Sequence, residues 1–290
     1  MDDINELVLK LGDPDPETRR DAAWALRNTT LHGADISYVI SALADALSDG
    51  NTDVRWSAAC ALRNAAEHGA DISAAIGALA DALSDKNANA QYNAVEALRL
   101  AVRHGADINA AIPALAKLLS DTGGYFRKKA AEVLWSAAER GADISAAIGA
   151  LADAVSDKDI GWAVFWALED AAKNGADIIA AIPALAKALS DKDADVRSDA
   201  ADALGKAIEK CASAGQLDKI EITLTETRKR RKRSGRGLAG SGVSFSEVMN
   251  QIANKRDELA AKRDIMLEDK PRPPKGGANI YHEMRRVRNG

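Results

Sequence analysis

Apolar positions in this chain follow a helical period that restarts at a fixed interval. Ile36, Ile40, Leu43 and Leu47 fall at i, i+4, i+7 and i+11, and Ile72, Ile76, Leu79 and Leu83 repeat the register, the stripe of an amphipathic helix. A short polar turn and a second helix follow, with small residues such as Ala22, Ala23, Ala58, Ala59, Ala94 and Val95 at its closely packed positions. The triplet Gly-Ala-Asp recurs at Gly33, Gly69, Gly105, Gly141 and Gly175, at intervals of 36, 36, 36 and 34 residues. Glycine can take the left-handed conformation that ends a helix, and an aspartate two residues later, Asp35 in the first case, caps the next. Within the first helix of each unit stand Ser41, Gly77, Pro113, Gly149 and Pro183, which weaken a helix and predict a bend there. Counting a pair that begins at Ile4, the pattern predicts six helical hairpins ending near Ala214. A lone hairpin cannot bury its stripe, so the hairpins must stack into an all-α solenoid.

The proline inside IPALAKAL and the turn-and-helix DPDPETRRDAAWAL resemble HEAT repeats, in particular the HEAT-like repeats named after phycobilisome lyases, over about residues 3–213. The resemblance implies a right-handed solenoid of six HEAT-like hairpins whose second helices line the concave side. It implies no catalytic residue, because such repeats serve many scaffolds, a few chromophore lyases and some DNA-binding glycosylases.

Positions that differ between otherwise alike repeats are released from the packing constraint. On the second helix three such positions recur at i, i+4 and i+7, on one face. They hold Arg20, Trp24 and Arg27; Trp56, Cys60 and Arg63; Tyr92, Glu96 and Arg99; Lys128, Glu132 and Trp135; Trp162, Trp166 and Glu169; and Ser198, Asp202 and Gly205. All five tryptophans lie in this ladder. Trp, Tyr and Arg are the residues that carry binding energy at interfaces, so the ladder is the candidate site for a protein or peptide partner. The competing reading is that the tryptophans cover neighbouring repeats. Glu96, Glu132, Glu169 and Asp202 suit a basic partner, or form a solvated face with no preference. His32, His68 and His104 occupy one position in successive repeats beside the terminating glycine, where a helix dipole favours them; no metal or other cofactor is expected.

Composition narrows the class further. The chain is 47% hydrophobic but only 4% aromatic, which suits close helices more than a β-sandwich. No apolar run approaches 18 residues and the start, MDDINELVLKLGD, is acidic, so neither membrane insertion nor a secretory signal is expected. The expected location is cytoplasmic, or nuclear in a eukaryotic cell. Cys60 and Cys211 stand far apart without metal-site spacing, and no nucleophile triad or phosphate loop is visible, so catalysis is not expected.

Charge divides the chain. Residues 1–214 hold 21 basic and 33 acidic side chains, whereas residues 215–290 hold 18 and 10. The expected organisation is a solenoid over 1–214, an extended, basic, glycine-rich linker over 215–243, an amphipathic helix over 244–269 and a basic Pro/Gly segment over 270–290. Ile220–Leu224 alternates apolar and polar residues as a short strand or extended arm would. Arg228, Lys229, Arg230, Arg231, Lys232, Arg233 and Arg236 form a run expected to stay disordered and to offer a second attachment point, for a nucleic acid or an acidic surface. Ser244 and Glu247 form a capping box ahead of a helix expected to dock on the solenoid or on a partner. The basic end, residues 279–288 with Tyr281 and Met284, could fold back as a clasp on the groove. Three functions remain open: a protein-binding scaffold, a nucleic-acid-associated adaptor acting through the tail, and a chromophore-lyase accessory protein.

Overall fold

A computed structural model describes residues 4–31, 37–120, 124–233 and 245–268. The first hairpin joins α1 (Ile4–Leu11) to α2 (Pro16–Leu31). The next five pair α3 (Ile40–Ala46) with α4 (Thr52–Glu67), α5 (Ile76–Ala82) with α6 (Ala88–Arg103), α7 (Ile112–Leu118) with α8 (Gly124–Glu139), α9 (Ile148–Ala154) with α10 (Gly161–Lys173) and α11 (Ile182–Ala188) with α12 (Ala194–Lys210). Two further helices follow, α13 (Ala214–Arg233) and α14 (Phe245–Glu268). No strand occurs among the described residues. Each second helix packs on the one before and the one after it, and the first helices form a parallel layer. The result is the expected all-α solenoid with one continuous core.

The joints work as the sequence predicts. Gly69, Gly105, Gly141 and Gly175 have φ values of 86, 85, 85 and 88°. In each joint the amide after the glycine donates five residues back, as from Ala106 to the Ala101 carbonyl at 2.9 Å, which satisfies carbonyls the helix end would orphan. Asp71, Asp107, Asp143 and Asp177 then each accept the amide two residues on, at 2.8–3.0 Å. Gly33, Asp35 and Ile36 lie outside the described residues. The rest of the predicted stripe, Ile40, Leu43, Leu47, Ile72, Ile76, Leu79 and Leu83, is buried.

The expected bend takes another form. What the pattern suggested as one first helix is a three-residue 3-10 turn, such as Ser73–Ala75, followed by a short α-helix. Pro113 and Pro183 sit in the first turn of α7 and α11. There the missing N–H has no intrahelical acceptor to lose, so proline starts a helix and does not kink one.

An arginine ladder fastens successive repeats along the turn edge. Arg19 donates to the Asp13 carbonyl of its own turn and to Asp49 of the next repeat, Nε to Oδ2 at 2.6 Å. Arg55 repeats both bonds, to the Asp49 carbonyl and to Asp85 at 2.6 Å. Arg127 reaches Asp157 at 3.1 Å.

The linker assigned to 215–243 is corrected over its first part, and so is the end of the repeat array at Ala214. Residues 214–233 form α13, which packs on α11, while α14 packs on α12 and α13. The pair therefore continues both layers as a seventh, irregular hairpin. Leu217, Ile220 and Leu224 are buried and Ile222 is 58% exposed, a helical spacing and not the alternation of a strand. Val248 and Ile252 of α14 are buried against the same core. Arg256 bridges Asp218 at 2.6 Å and Glu221 at 2.7 Å on α13. Ser244, Arg236 and residues 269–290, including the suggested clasp, lie outside the described residues.

Candidate partner-binding face

The ladder positions form a line across the second helices, and the structure divides them into three groups. At the N-terminal end Trp24 is 54% exposed and Trp56 half-buried. The Arg27 guanidinium lies 6.0 Å from the Trp24 ring centroid and 4.8 Å from that of Trp56, so it is held between two aromatic faces by cation–π attraction. Arg20 pairs with Glu17 and Asp21 on its own helix. A cleft of about 340 Å³ opens between Trp24, Trp56, Arg20 and Asp53. Arg63 is half-buried and donates to Asn64 at 3.0 Å. Burial pushes the Cys60 thiol up, against the pull of Arg63 and Arg27, which leaves it a poor nucleophile.

In the middle Tyr92 stacks on Tyr125 at 5.8 Å, and Tyr125 meets Phe126 edge-on at 5.5 Å. Glu96 is buried, not on an open acidic face: it accepts from Arg99 at 2.7 Å and pairs with Lys129 at 3.3 Å, which also reaches Glu132 at 3.1 Å. These acids are neutralised within the protein. Lys128 is exposed beside them.

Toward the C-terminal end Trp135, Trp162 and Trp166 meet in one cluster with centroids 4.8–5.7 Å apart. Trp135 and Trp162 are half-buried, so covering a neighbouring repeat accounts for part of each ring, while Trp166 remains 40% exposed. The Trp135 indole N–H donates to Asp170 at 3.2 Å. Glu169 stands next to this cluster, and burial followed by the carboxylates of Asp202 and Asp170 holds its carboxyl above the ordinary range. The line ends where α14 covers Gly205; a Cβ there would lie 3.3 Å from the Gln251 side chain.

Sequence reasoning missed two members of the face. Tyr125, 48% exposed, stands one turn before Lys128, outside the i, i+4, i+7 register, and Lys129 one residue beyond it carries the ion pairs. Among the histidines, His68 and His104 are the residues that close α4 and α6. No group of three or more His, Cys, Asp or Glu suited to a metal occurs among the described residues. No helix among them is long and apolar enough to cross a membrane.

Family models for HEAT repeats match residues 40–135 and, separately, residues 181–211. These segments of the chain are HEAT repeats. Among solved structures, the repeat array is similar to an engineered protein at 23% identity, with 90% of this chain and 69% of that chain covered and a TM-score of 0.53. It is also similar to a designed armadillo repeat protein in complex with the peptide (KR)4, at 22% identity over 71% of this chain and 99% of that one, TM-score 0.51. Computationally designed armadillo repeat proteins for modular peptide recognition match at 21% identity over 70% and 99%, TM-score 0.50. These likenesses bear on the fold alone. No curated protein sequence matches the chain.

Proposed function

We propose that this protein is a non-enzymatic scaffold that binds an extended protein or peptide segment on the concave, second-helix face. The observation that carries this reading is the pair of partly exposed aromatic clusters, Trp24–Arg27–Trp56 and Trp135–Trp162–Trp166, set on one line three repeats apart. A rigid array offers such anchors without the ordering cost of a loop. The preference is for a basic segment, because the Glu96 and Glu132 charges are met internally whereas Glu169, Asp170 and Asp202 crowd one another. One protein of the same fold is complexed with a (KR)4 peptide, which agrees with an array of this kind accepting a basic strand.

The basic end of α13 is the second attachment point in this reading. As the main nucleic-acid site it is the weaker reading, since Arg228 lies over the Phe245 ring at 4.5 Å and Arg230 pairs with Glu226 at 3.8 Å. Nothing beyond the resemblance supports a chromophore-lyase accessory role, which would be marked by a coloured ligand that co-purifies.

The test is a display of extended decapeptides against the full-length chain and its Trp24→Ala, Trp166→Ala and Tyr38→Ala variants. Tyr38 is 61% exposed on the first-helix side and serves as the control. Peptides selected by the native chain should lose about tenfold in affinity with either tryptophan change and none with Tyr38→Ala. Native affinity retained by both tryptophan variants would sink the proposal.

A further inference from the structure

The arginine ladder has a missing rung. In the first, second and fourth repeats an arginine occupies the position just before the trio, as Arg19, Arg55 and Arg127, and bonds the aspartate at the turn of the following repeat. In the third repeat that position is Gln91, whose amide donates to the Leu83 carbonyl at 2.7 Å, and in the fifth, just before Trp162, it is Gly161 with no side chain to fill the place. The aspartate it should meet is still present: Asp191 accepts the Asp193 amide at 3.0 Å, as Asp49 and Asp85 accept Asn51 and Asn87 at 2.7 Å. Arg197 also bonds the Asp191 and Lys192 carbonyls at 2.9 and 3.1 Å, in the way Arg55 bonds its own turn. Only the guanidinium contributed by the preceding repeat is absent.

A cavity of about 490 Å³ stands at this place, lined by Gly161, Asp191, Asp195, Asp199 and the rings of Trp162 and Phe165. Lys158, Lys187 and Lys192 line it as well, against five aspartates. Burial, followed by the carboxylates of Asp202, Asp195 and Asp193, holds the Asp199 carboxyl above its ordinary value, the mark of a site short of positive charge. The same chain shows three times over what an aspartate at this register binds, and aromatic rings beside it suit a planar cation.

We propose that this cavity is a socket for the guanidinium of an arginine side chain carried by a bound peptide, with Asp191 as its principal acceptor and Trp162 as its flanking ring. The inference rests on the proposed function for the peptide and names its chemistry. The socket alone is open to a small probe. Trp162 belongs both to the socket and to the aromatic line, so a peptide running along the face can place one arginine into it. A lysine has no planar fork to repeat the two-nitrogen contact that Arg19 and Arg55 make with Asp49 and Asp85.

The experiment uses the full chain with Nα-acetyl-arginine methylamide and the isosteric but uncharged citrulline derivative, read through the Trp162 indole N–H resonance. The arginine derivative should shift that resonance in a saturable way and the citrulline derivative should leave it in place. Gly161→Arg restores the rung within the chain; it should leave the melting temperature equal or higher and abolish the shift. Asp191→Asn should weaken the arginine probe by about tenfold. Equal shifts from the two derivatives, or an unchanged response in both Gly161→Arg and Asp191→Asn, overturn the socket. Failures of the two proposals separate cleanly. If peptides depend on Trp24 but not on Gly161, the face stands and the socket falls; if the arginine probe binds and no peptide does, the socket stands and the face falls.

Discussion

The inner repeats and the C-terminal hairpin reach the same packing by different means. Between α3 and α12 every joint has a left-handed glycine and a capping aspartate, and Arg55 and Arg127 add bridges to the following repeat, so local signals set where each helix stops and how it leans on the next. The described residues of the α13–α14 pair show none of these. It continues the array because Leu217, Ile220, Leu224, Val248 and Ile252 present an apolar stripe to α11 and α12, and Arg256 ties its two helices. Stacking therefore needs only a matching apolar face. The joint motifs add precision and cooperativity, and a terminal unit with a polar outer side can close the array without them.

The largest expected effect tests the shared core. Leu62 in α4 is fully buried, and Leu62→Ala should cost about 3 kcal/mol of global stability, measured as a lower urea midpoint. Leu224→Ala on α13 removes an equally buried side chain, but should cost about 2 kcal/mol and show mainly as faster amide exchange confined to α13 and α14. Global exchange in both would erase the distinction drawn between the regions.

The ladder sharpens the comparison at smaller scale. The Asp85 and Arg55 side chains are only 5% and 19% exposed, and Asp85→Asn should cost about 1–2 kcal/mol. Asp191→Asn, where no arginine arrives from the preceding repeat, should cost clearly less in the same urea measurement. The pH dependence follows from the same bond. The Arg55 guanidinium holds the Asp85 carboxyl below the ordinary carboxylate range, and Asp49 is held low by Arg19 and the Asn51 amide despite burial that works the other way. Because these folded values lie below the unfolded value of about 4, their stabilisation is complete above that pH and disappears as the pH falls through the folded values. The acid limb of a stability–pH curve should flatten in Asp85→Asn. The smallest change is Gly105→Ala, expected to cost about 1 kcal/mol in thermal unfolding because alanine at φ 85° is strained even though space is free.

The sequence was most legible where one residue type has one physical use. The joint glycines must take positive φ, and the Ile/Leu stripe must be buried, so both could be placed before any coordinates. It was least legible where a pattern fits two structures. Ile220, Ile222 and Leu224 alternate as a strand would, yet α11 offers a groove that takes Leu217, Ile220 and Leu224 and leaves Ile222 in water. Pro113 and Pro183 suggested bends because a continuous first helix was assumed, whereas the 3-10 turn before each makes them helix starts.

The candidate site divides in the same way. Spacing put Trp24, Trp56, Trp135, Trp162 and Trp166 on one helix face, and periodicity alone determined that, together with the number of regular hairpins and the chemistry of their joints. Only the stacking of the helices decided that three of these rings close on one another, that Glu96 is neutralised by a lysine from the next repeat, and that Gly161 leaves a cavity facing Asp191. Those outcomes depend on distances between residues some 30 positions apart, and such distances exist only after each repeat has found its neighbour.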